Sequence, residues 1–244
     1  MAAKTRIQPA DALRPHRAEA PFLDHVSGSV LYCAGRTKVL CTALFEEGVP
    51  PFLLGKDQGW ITAEYDLLPG STAPRHARER GGKLSGRTME IQRIIGRAIR
   101  AAVDLSAFPG WTLKLDCDVL QADGGTRSAG VNGAWIATAL ALEDFCRQHP
   151  AARKALRTQV AAVSVGLHEG GLLLDMDYGE DSKAAVDLTI AMNSGGGIIE
   201  IQGTAEHGAM SQDELAAMIS LGRKGIEEIF AIQRGAAGAA SLTA

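Results

Sequence analysis

The sequence predicts an α+β fold in which strands are followed by helices, twice over, the helices packing on mixed or antiparallel sheets. Three observations predict it. Short runs rich in Val, Leu, Ile, Thr and Cys come in pairs separated by glycine-bearing turns. Two long stretches repeat apolar residues at spacings of three and four. At 244 residues, with 46% hydrophobic and 22% charged residues, the chain is long and apolar enough to bury a full core.

In chain order, Met1–Ala20 mixes Lys4, Arg6, Asp11, Arg14 and Arg17 with prolines and reads as an extended arm. Ser27–Cys33 and Thr37–Ala43 flank Ala34-Gly35-Arg36 as a hairpin, and Gly59–Tyr65 adds a strand closed by Pro69-Gly70. Residues 70–86 read as a loop of Gly, Ser, Pro, Arg and His. A helix follows, with Ile91, Ile94, Ile95, Ala98, Ile99, Ala102 and Val103 on one face. Thr112–Val119 alternates as a strand, Asp123-Gly124-Gly125 turns the chain, and an Ala-rich apolar helix runs from Ser128 to about Phe145. Beyond Pro150, Val160–Leu167 and Gly171–Met176 form a second hairpin, and Ala185–Met192 and Ile198–Gln202 two more strands. Ser211-Gln212-Asp213-Glu214 has the form of a capping box opening a last helix. The small-residue tail from Gly235 reads as frayed.

Composition excludes several classes. A net charge of -3 and only 5% aromatic residues do not describe a general polyanion binder, so any nucleic acid must be met by a local basic patch. Cys33, Cys41, Cys117 and Cys146 form no C-x-x-C pair, so no zinc site is expected; Cys33, Cys41 and Cys117 sit in apolar or β-branched runs, where buried free thiols and a cytoplasmic location are expected. No signal-peptide core and no run of membrane-spanning length is visible, so no membrane association is expected. Neither a dinucleotide-binding glycine fingerprint nor a P-loop is present.

Four constellations carry possible chemistry. Between Gly70 and Arg100, Arg75, Arg78, Arg80, Lys83, Arg87, Arg93, Arg97 and Arg100 face only Glu79 and Glu90, a local excess of six positive charges. That pattern concentrates a polyanion, although charge alone equally fits a solvated loop and helix face. Gly124-Gly125-Thr126-Arg127-Ser128 joins a strand to a helix start, where unpaired N–H groups and the helix dipole favour an anion; the bland alternative is a tight turn with a cap. Arg87 stands near another helix start. Asp175, Asp177, Glu180, Asp181 and Asp187 crowd one stretch, a set suited to a hard cation such as Mg²⁺ or simply a polar hairpin end. Asp187 lies inside an apolar strand, where an ionised carboxylate needs a partner. An anion cradle, a basic track and clustered acids together are the equipment of phosphoryl transfer.

The chain resembles the bacterial ribonuclease PH family over Leu13–Gln233. The matching words are Leu13-Arg14-Pro15, the run Gln58 to Tyr65, the run Gly86 to Arg93, the run Leu115 to Arg127, Glu180-Asp181-Ser182, Asp187, and the run Ile201 to Glu206. The resemblance implies one ribonuclease PH domain of two βαβα-like halves, about 13–150 and 151–234, similar to ribosomal-protein domains. It implies a homo-hexamer built as a trimer of dimers. It also implies a phosphorolytic 3′-to-5′ exoribonuclease and tRNA nucleotidyltransferase, in which inorganic phosphate as co-substrate attacks the last phosphodiester of tRNA precursors and other RNA 3′ ends. Arg87, Gly125, Thr126 and Arg127 would then hold phosphate, joined by Ser128 from the helix-start reading. Asp181 and Asp187 would be the catalytic carboxylates and the Mg²⁺ ligands. Arg75 and Arg78 would form the RNA track, extended along the helix by Arg93 and Arg97. The chain differs from the family pattern at Gly70, where an arginine is usual, and at Asp66, where a glycine is usual. An alternative of another class is a non-catalytic RNA-binding ring subunit of an exosome-like assembly; such a subunit is expected to lack the acids or the phosphate arginines, which this chain has.

Overall fold

A computed structural model describes residues 6–79, 84–206 and 208–238. Two sheets enclose a central helix. The first sheet has the order β1-β2-β3-β5-β4, formed by β1 (His16–Glu19), β2 (Gly28–Ala34), β3 (Thr37–Glu47), β4 (Trp60–Leu67) and β5 (Trp111–Gln121). It is mixed: β4 and β5 run parallel and the other pairs antiparallel. The second sheet is antiparallel throughout, β7-β6-β8-β9, from β6 (Val160–His168), β7 (Gly171–Leu174), β8 (Val186–Asn193) and β9 (Ile198–Ala205).

The parallel pair explains the first crossover. β4 and β5 cannot be joined by a hairpin, so α1 (Gly86–Ala102) carries the chain between them. It buries Ile91, Ile94, Ile95, Ala98 and Ile99, the face that the spacing predicts. β5 is followed by α2 (Thr126–Phe145), so β4-α1-β5-α2 is a βαβα segment. The second half departs from that order: four antiparallel strands precede one long helix, α4 (Gln212–Ala237), with only the single turn α3 (Tyr178–Asp181) between β7 and β8.

α2 is buried on nearly every side, as a helix between two sheets must be. It packs on β2 and β3 and, across the molecule, on β6. Gly133 lets it close on the first sheet: a Cβ there would stand 2.5 Å from Cys41 Sγ. One core therefore includes Val30, Val39, Leu115, Trp135 and, from the second sheet, Val160, Ala162 and Ala191. The opposite face of the second sheet, with Val163, Val165, Leu188 and Ile190, packs on Met218, Ile226 and Ile229 of α4. All four cysteines are free and buried, as expected for Cys33, Cys41 and Cys117. No helix among the described residues is long and apolar enough to cross a membrane.

Two expectations need correcting. The arm is not coil to residue 20: His16–Glu19 pairs with Leu31–Ala34 as the sheet's edge strand. Four charged and small residues between prolines show no β signature, and pairing with β2, not propensity, makes the strand. At the other end α4 continues through Ala237, past Gly235, because its last turn still buries Gln233 and Ala237. Residues 1–5 and 239–244 lie outside the described residues.

Candidate active site

The Gly124-Gly125 turn takes the left-handed backbone twice, with φ of 76° and 65°. A side chain at Gly124 would strike the Met176 carbonyl at 2.6 Å. Every carbonyl of this turn is drawn back into the protein. Arg14 Nη1 donates to Asp123 O (2.7 Å), Thr37 Oγ1 donates to Gly124 O (2.6 Å), and Ala129 N donates to Gly125 O (2.9 Å). Arg36 grips the Asp123 carboxylate with two bonds of 2.7 and 2.8 Å. With its carbonyls committed, the turn presents the unpaired first-turn N–H groups of α2.

Behind it lies a buried ion pair that the sequence reading did not assemble. Asp175 accepts from Arg14 N (3.0 Å), Nε (3.0 Å) and Nη2 (2.7 Å), and pairs with His16 Nε2 (2.9 Å), whose other ring nitrogen meets the Tyr32 hydroxyl (2.8 Å). Arg14 and Asp175 are 5% and 3% exposed. Burial opposes the charge on Asp175, but His16 and Arg14 outweigh it and hold the carboxyl well below the usual range. Asp175 has a φ of 53°, unusual for a non-glycine residue, which these bonds stabilise. In the sequence Asp175 was one acid of a crowded stretch, at the end of an apolar strand; its partner lies 161 residues away.

The acidic stretch thus separates into uses. Asp175 is paired with Arg14. Asp177 caps α3 in a reciprocal box with Glu180, and Glu180 also binds Arg6 at 2.9 Å. Asp181 and Asp187 remain. They line one small cavity together with Arg87, Gly125, Thr126, Arg127, Ser164 and Thr189. Its volume of about 50 Å³ accommodates a small oxyanion rather than a nucleotide. Arg87 reaches it from the first turn of α1, whose N-cap is Ser85, so two helix starts converge there. Neither Arg87 nor Arg127 has a carboxylate partner within ion-pair distance among the described residues. Asp187 Oδ1 is buried with no hydrogen-bond partner there. Burial pushes the Asp187 carboxyl up to about 6, the neighbouring Asp181 adding to the rise and Arg127 and Arg87 opposing it. Burial also raises Asp181, again against Arg127 and Arg87.

Other expected residues fall elsewhere. Ser128 does not line the cavity, and its Oγ is buried without a partner among the described residues. Arg93 and Arg97 line a neighbouring groove with Gly86, Met89, Glu90 and Gln202, and Arg97 is held by Glu200 of β9. Arg75 and Arg78 are exposed on the irregular segment before α1. Arg80 and Lys83 lie outside the described residues. Glu79 serves the start of α1, accepting from Ser85 N (2.8 Å) and Thr88 Oγ1 (3.1 Å). Ser164 and Thr189 were not singled out by sequence, because isolated polar residues in strands carry no pattern, and Gln202 entered only within the run Ile201 to Glu206 that carries the resemblance.

Two sheets around a central helix, an oxyanion-sized cavity at two helix starts and two carboxylates in its wall fit the class of phosphoryl-transfer proteins. The chain belongs to the 3′ exoribonuclease family: residues 12–145 match the model of the family's domain 1 and residues 158–225 that of domain 2. It is 50% identical to the ribonuclease PH of Listeria welshimeri over 226 residues, covering 92% of this chain and 91% of that protein. It is 50% identical to the ribonuclease PH of Listeria monocytogenes over 227 residues, covering 92% of each. Among solved structures, an Archaeoglobus fulgidus exosome with RNA bound to the active site shares the fold at a TM-score of 0.76, with 20% identity over 92% of this chain and 90% of that one. Rice Rrp46 does so at 0.74, with 18% identity over 95% and 98%.

Proposed function

We propose that the chain is a phosphate-dependent 3′-to-5′ exoribonuclease that trims tRNA precursors and other RNA 3′ ends. One observation carries the reading: two arginines with no carboxylate partner among the described residues and a helix start share a cavity with two carboxylates, one of them in part uncompensated. Arg87, Arg127 and the backbone of Gly125 and Thr126 hold orthophosphate as the attacking group, through bidentate forks and N–H groups. A phosphate oxygen bonds to the last phosphorus, the bond to the 3′ oxygen breaks, and the nucleoside diphosphate departs. The 3′ oxygen takes up a proton and remains on the shortened RNA. Where the pair holds no cation, Asp181 or Asp187, both raised by burial, would give that proton.

Magnesium fits the donor set. Asp181 adds to the burial-driven rise of Asp187, a repulsion that a hard cation relieves, and Mg²⁺ commonly uses one or two carboxylates with substrate phosphate oxygens. Asp181 and Asp187 would hold it, and it would supply charge neutralisation at the transferred phosphoryl group. Arg75 and Arg78 form the outer RNA track. A homo-hexameric ring, as a trimer of dimers in the cytoplasm, is the assembly we expect; sedimentation of the purified chain tests it.

The deciding experiment uses RNA with a single-stranded 3′ tail. Nucleoside diphosphates are expected only when phosphate is added. Release of nucleoside monophosphates without phosphate would make the protein a hydrolase, and no release by the purified chain would favour the non-catalytic ring subunit.

A further inference from the structure

The inner face of β4 carries Ile61, Ala63 and Tyr65, all buried in the core that α1 covers. Phenylalanine would fill the space of Tyr65 as well, and a buried hydroxyl costs stability unless it is hydrogen-bonded. The Tyr65 hydroxyl, in a residue 2% exposed, has one bond: it donates to Thr126 Oγ1 at 2.9 Å. Thr126 is the first residue of α2 and lines the cavity of Arg87 and Arg127. Burial raises the Tyr65 hydroxyl above its usual range, with its bond to Thr126 and the charges of Arg87 and Arg127 opposing the rise, so it keeps its proton and remains a donor.

The protons at Thr126 then decide what the cavity receives. A threonine hydroxyl has one proton to give and two lone pairs to accept with. Here Tyr65 takes a lone pair. The proton of Thr126 has no acceptor among the described residues, unlike those of two other buried threonines. Thr37 Oγ1 donates to Gly124 O at 2.6 Å, and Thr138 Oγ1, deeper in the same helix, donates back to Ala134 O at 2.7 Å. Thr126 opens α2, so no helical carbonyl stands one turn before it. With Tyr65 on one side, the open direction for its proton is the cavity. Ionised phosphate oxygens accept hydrogen bonds and do not donate them. A hydroxyl fixed as a donor suits such an occupant; one free to rotate would present it with a lone pair as readily.

We propose that Tyr65 is a positioning residue for orthophosphate: by donating to Thr126 Oγ1 it turns the threonine's own proton into the cavity, as a further side-chain donor beside Arg87 and Arg127. This rests on the phosphorolytic reading of the cavity. Tyr65 touches no reacting atom and acts through Thr126 alone. The bond also ties β4 to the start of α2, 61 residues later, so the donor is held from the sheet as well as from its own helix.

The test is a double-mutant cycle of Tyr65→Phe and Thr126→Val. Two readouts are taken: calorimetric titration of inorganic phosphate without RNA, and the phosphate KM of phosphorolysis. Tyr65→Phe is expected to raise phosphate Kd and KM about three- to tenfold, with RNA affinity changed less than about twofold, and Thr126→Val to raise them about tenfold or more. In the Thr126→Val background, Tyr65→Phe is expected to add nothing. Thr126→Ser, which keeps the hydroxyl, is expected to stay within about threefold of the wild type. Tyr65→Met covers the case in which the phenylalanine variant does not fold. Equal costs of Tyr65→Phe with and without the Thr126 hydroxyl would reduce Tyr65 to packing and overturn the assignment, as would a phosphate Kd indifferent to Tyr65. If phosphate binding depends on Tyr65 through Thr126 while no nucleoside diphosphate is released, the positioning stands and the phosphorolytic reading falls. If nucleoside diphosphates are released and phosphate Kd ignores Tyr65, the phosphorolytic reading stands and the positioning falls.

Discussion

The cavity of Arg87 and Arg127 and the basic segment before α1 are both proposed to meet anions, yet they are built in opposite ways. The cavity is backed by a paired, buried network of Arg14, Asp175, His16 and Tyr32, with Thr37 and the exposed Arg36 holding the turn from the side. Arg75 and Arg78 stand exposed on irregular chain. The difference follows from the tasks. An attacking oxyanion must be fixed to a fraction of an ångström for in-line displacement, so its ligands are backbone groups and forks on helix starts. A passing polyanion needs charge that adapts to many phosphates, and exposed arginines supply it without a rigid scaffold.

The comparison breaks first at Arg14. Arg14→Met leaves Asp175 buried with His16 as its remaining partner, and unfolding in urea is expected to show a loss of about 3 kcal/mol; adding Asp175→Asn should recover part of it. A loss below about 1 kcal/mol would mean that the brace is not structural. Next is Arg127→Ala. Removing a fork from the cavity should lower kcat/KM for phosphate about 10²- to 10³-fold, with RNA affinity changed less than about threefold. Collapse of RNA affinity with normal phosphate dependence would move Arg127 to the track.

Asp187 sharpens the contrast through pH. Its folded carboxyl is raised to about 6, so the folded state disfavours the ionised form. The resulting penalty is absent below the unfolded value near 4, grows as pH rises, and is complete above about 6. Asp187→Asn should therefore stabilise the chain by about 1–2 kcal/mol at pH 8 and by nothing measurable at pH 4, while abolishing turnover. Equal effects at both pH values would contradict that assignment. Smallest is Arg75→Ala, expected to weaken RNA binding by a few-fold and to reduce the slope of log affinity against log salt by about one, with phosphate KM unchanged. An unaltered slope removes Arg75 from the track.

Much of the fold was legible because it rests on periodicity. The Ile91, Ile94, Ile95 and Ile99 face and the Leu113 and Leu115 alternation name their elements without any partner. The cavity was half legible. Gly124-Gly125 before a helix announces an anion site locally, and Asp187 in an apolar strand announces a carboxylate under tension. What stayed hidden depends on pairing across the chain. β1 exists because β2 offers an edge. Asp175 differs from Asp181 only because Arg14 arrives beside it. Tyr65 gains meaning only once folding brings its hydroxyl to Thr126. Asp66 faces Asp118 across β4 and β5 and adds to the burial-driven rise of that carboxyl; nothing in the structure explains its choice over glycine.

The Arg14–Asp175 contact has a consequence for biogenesis. The glycine turn belongs to the first half of the chain, but the wall that shapes it, from Asp175 to Tyr178, is translated some fifty residues later. A nascent chain halted after α2 would carry both phosphate arginines and still lack the surface that moulds their cradle. The shape of this cradle is therefore completed only when the later half of the chain docks on the earlier one.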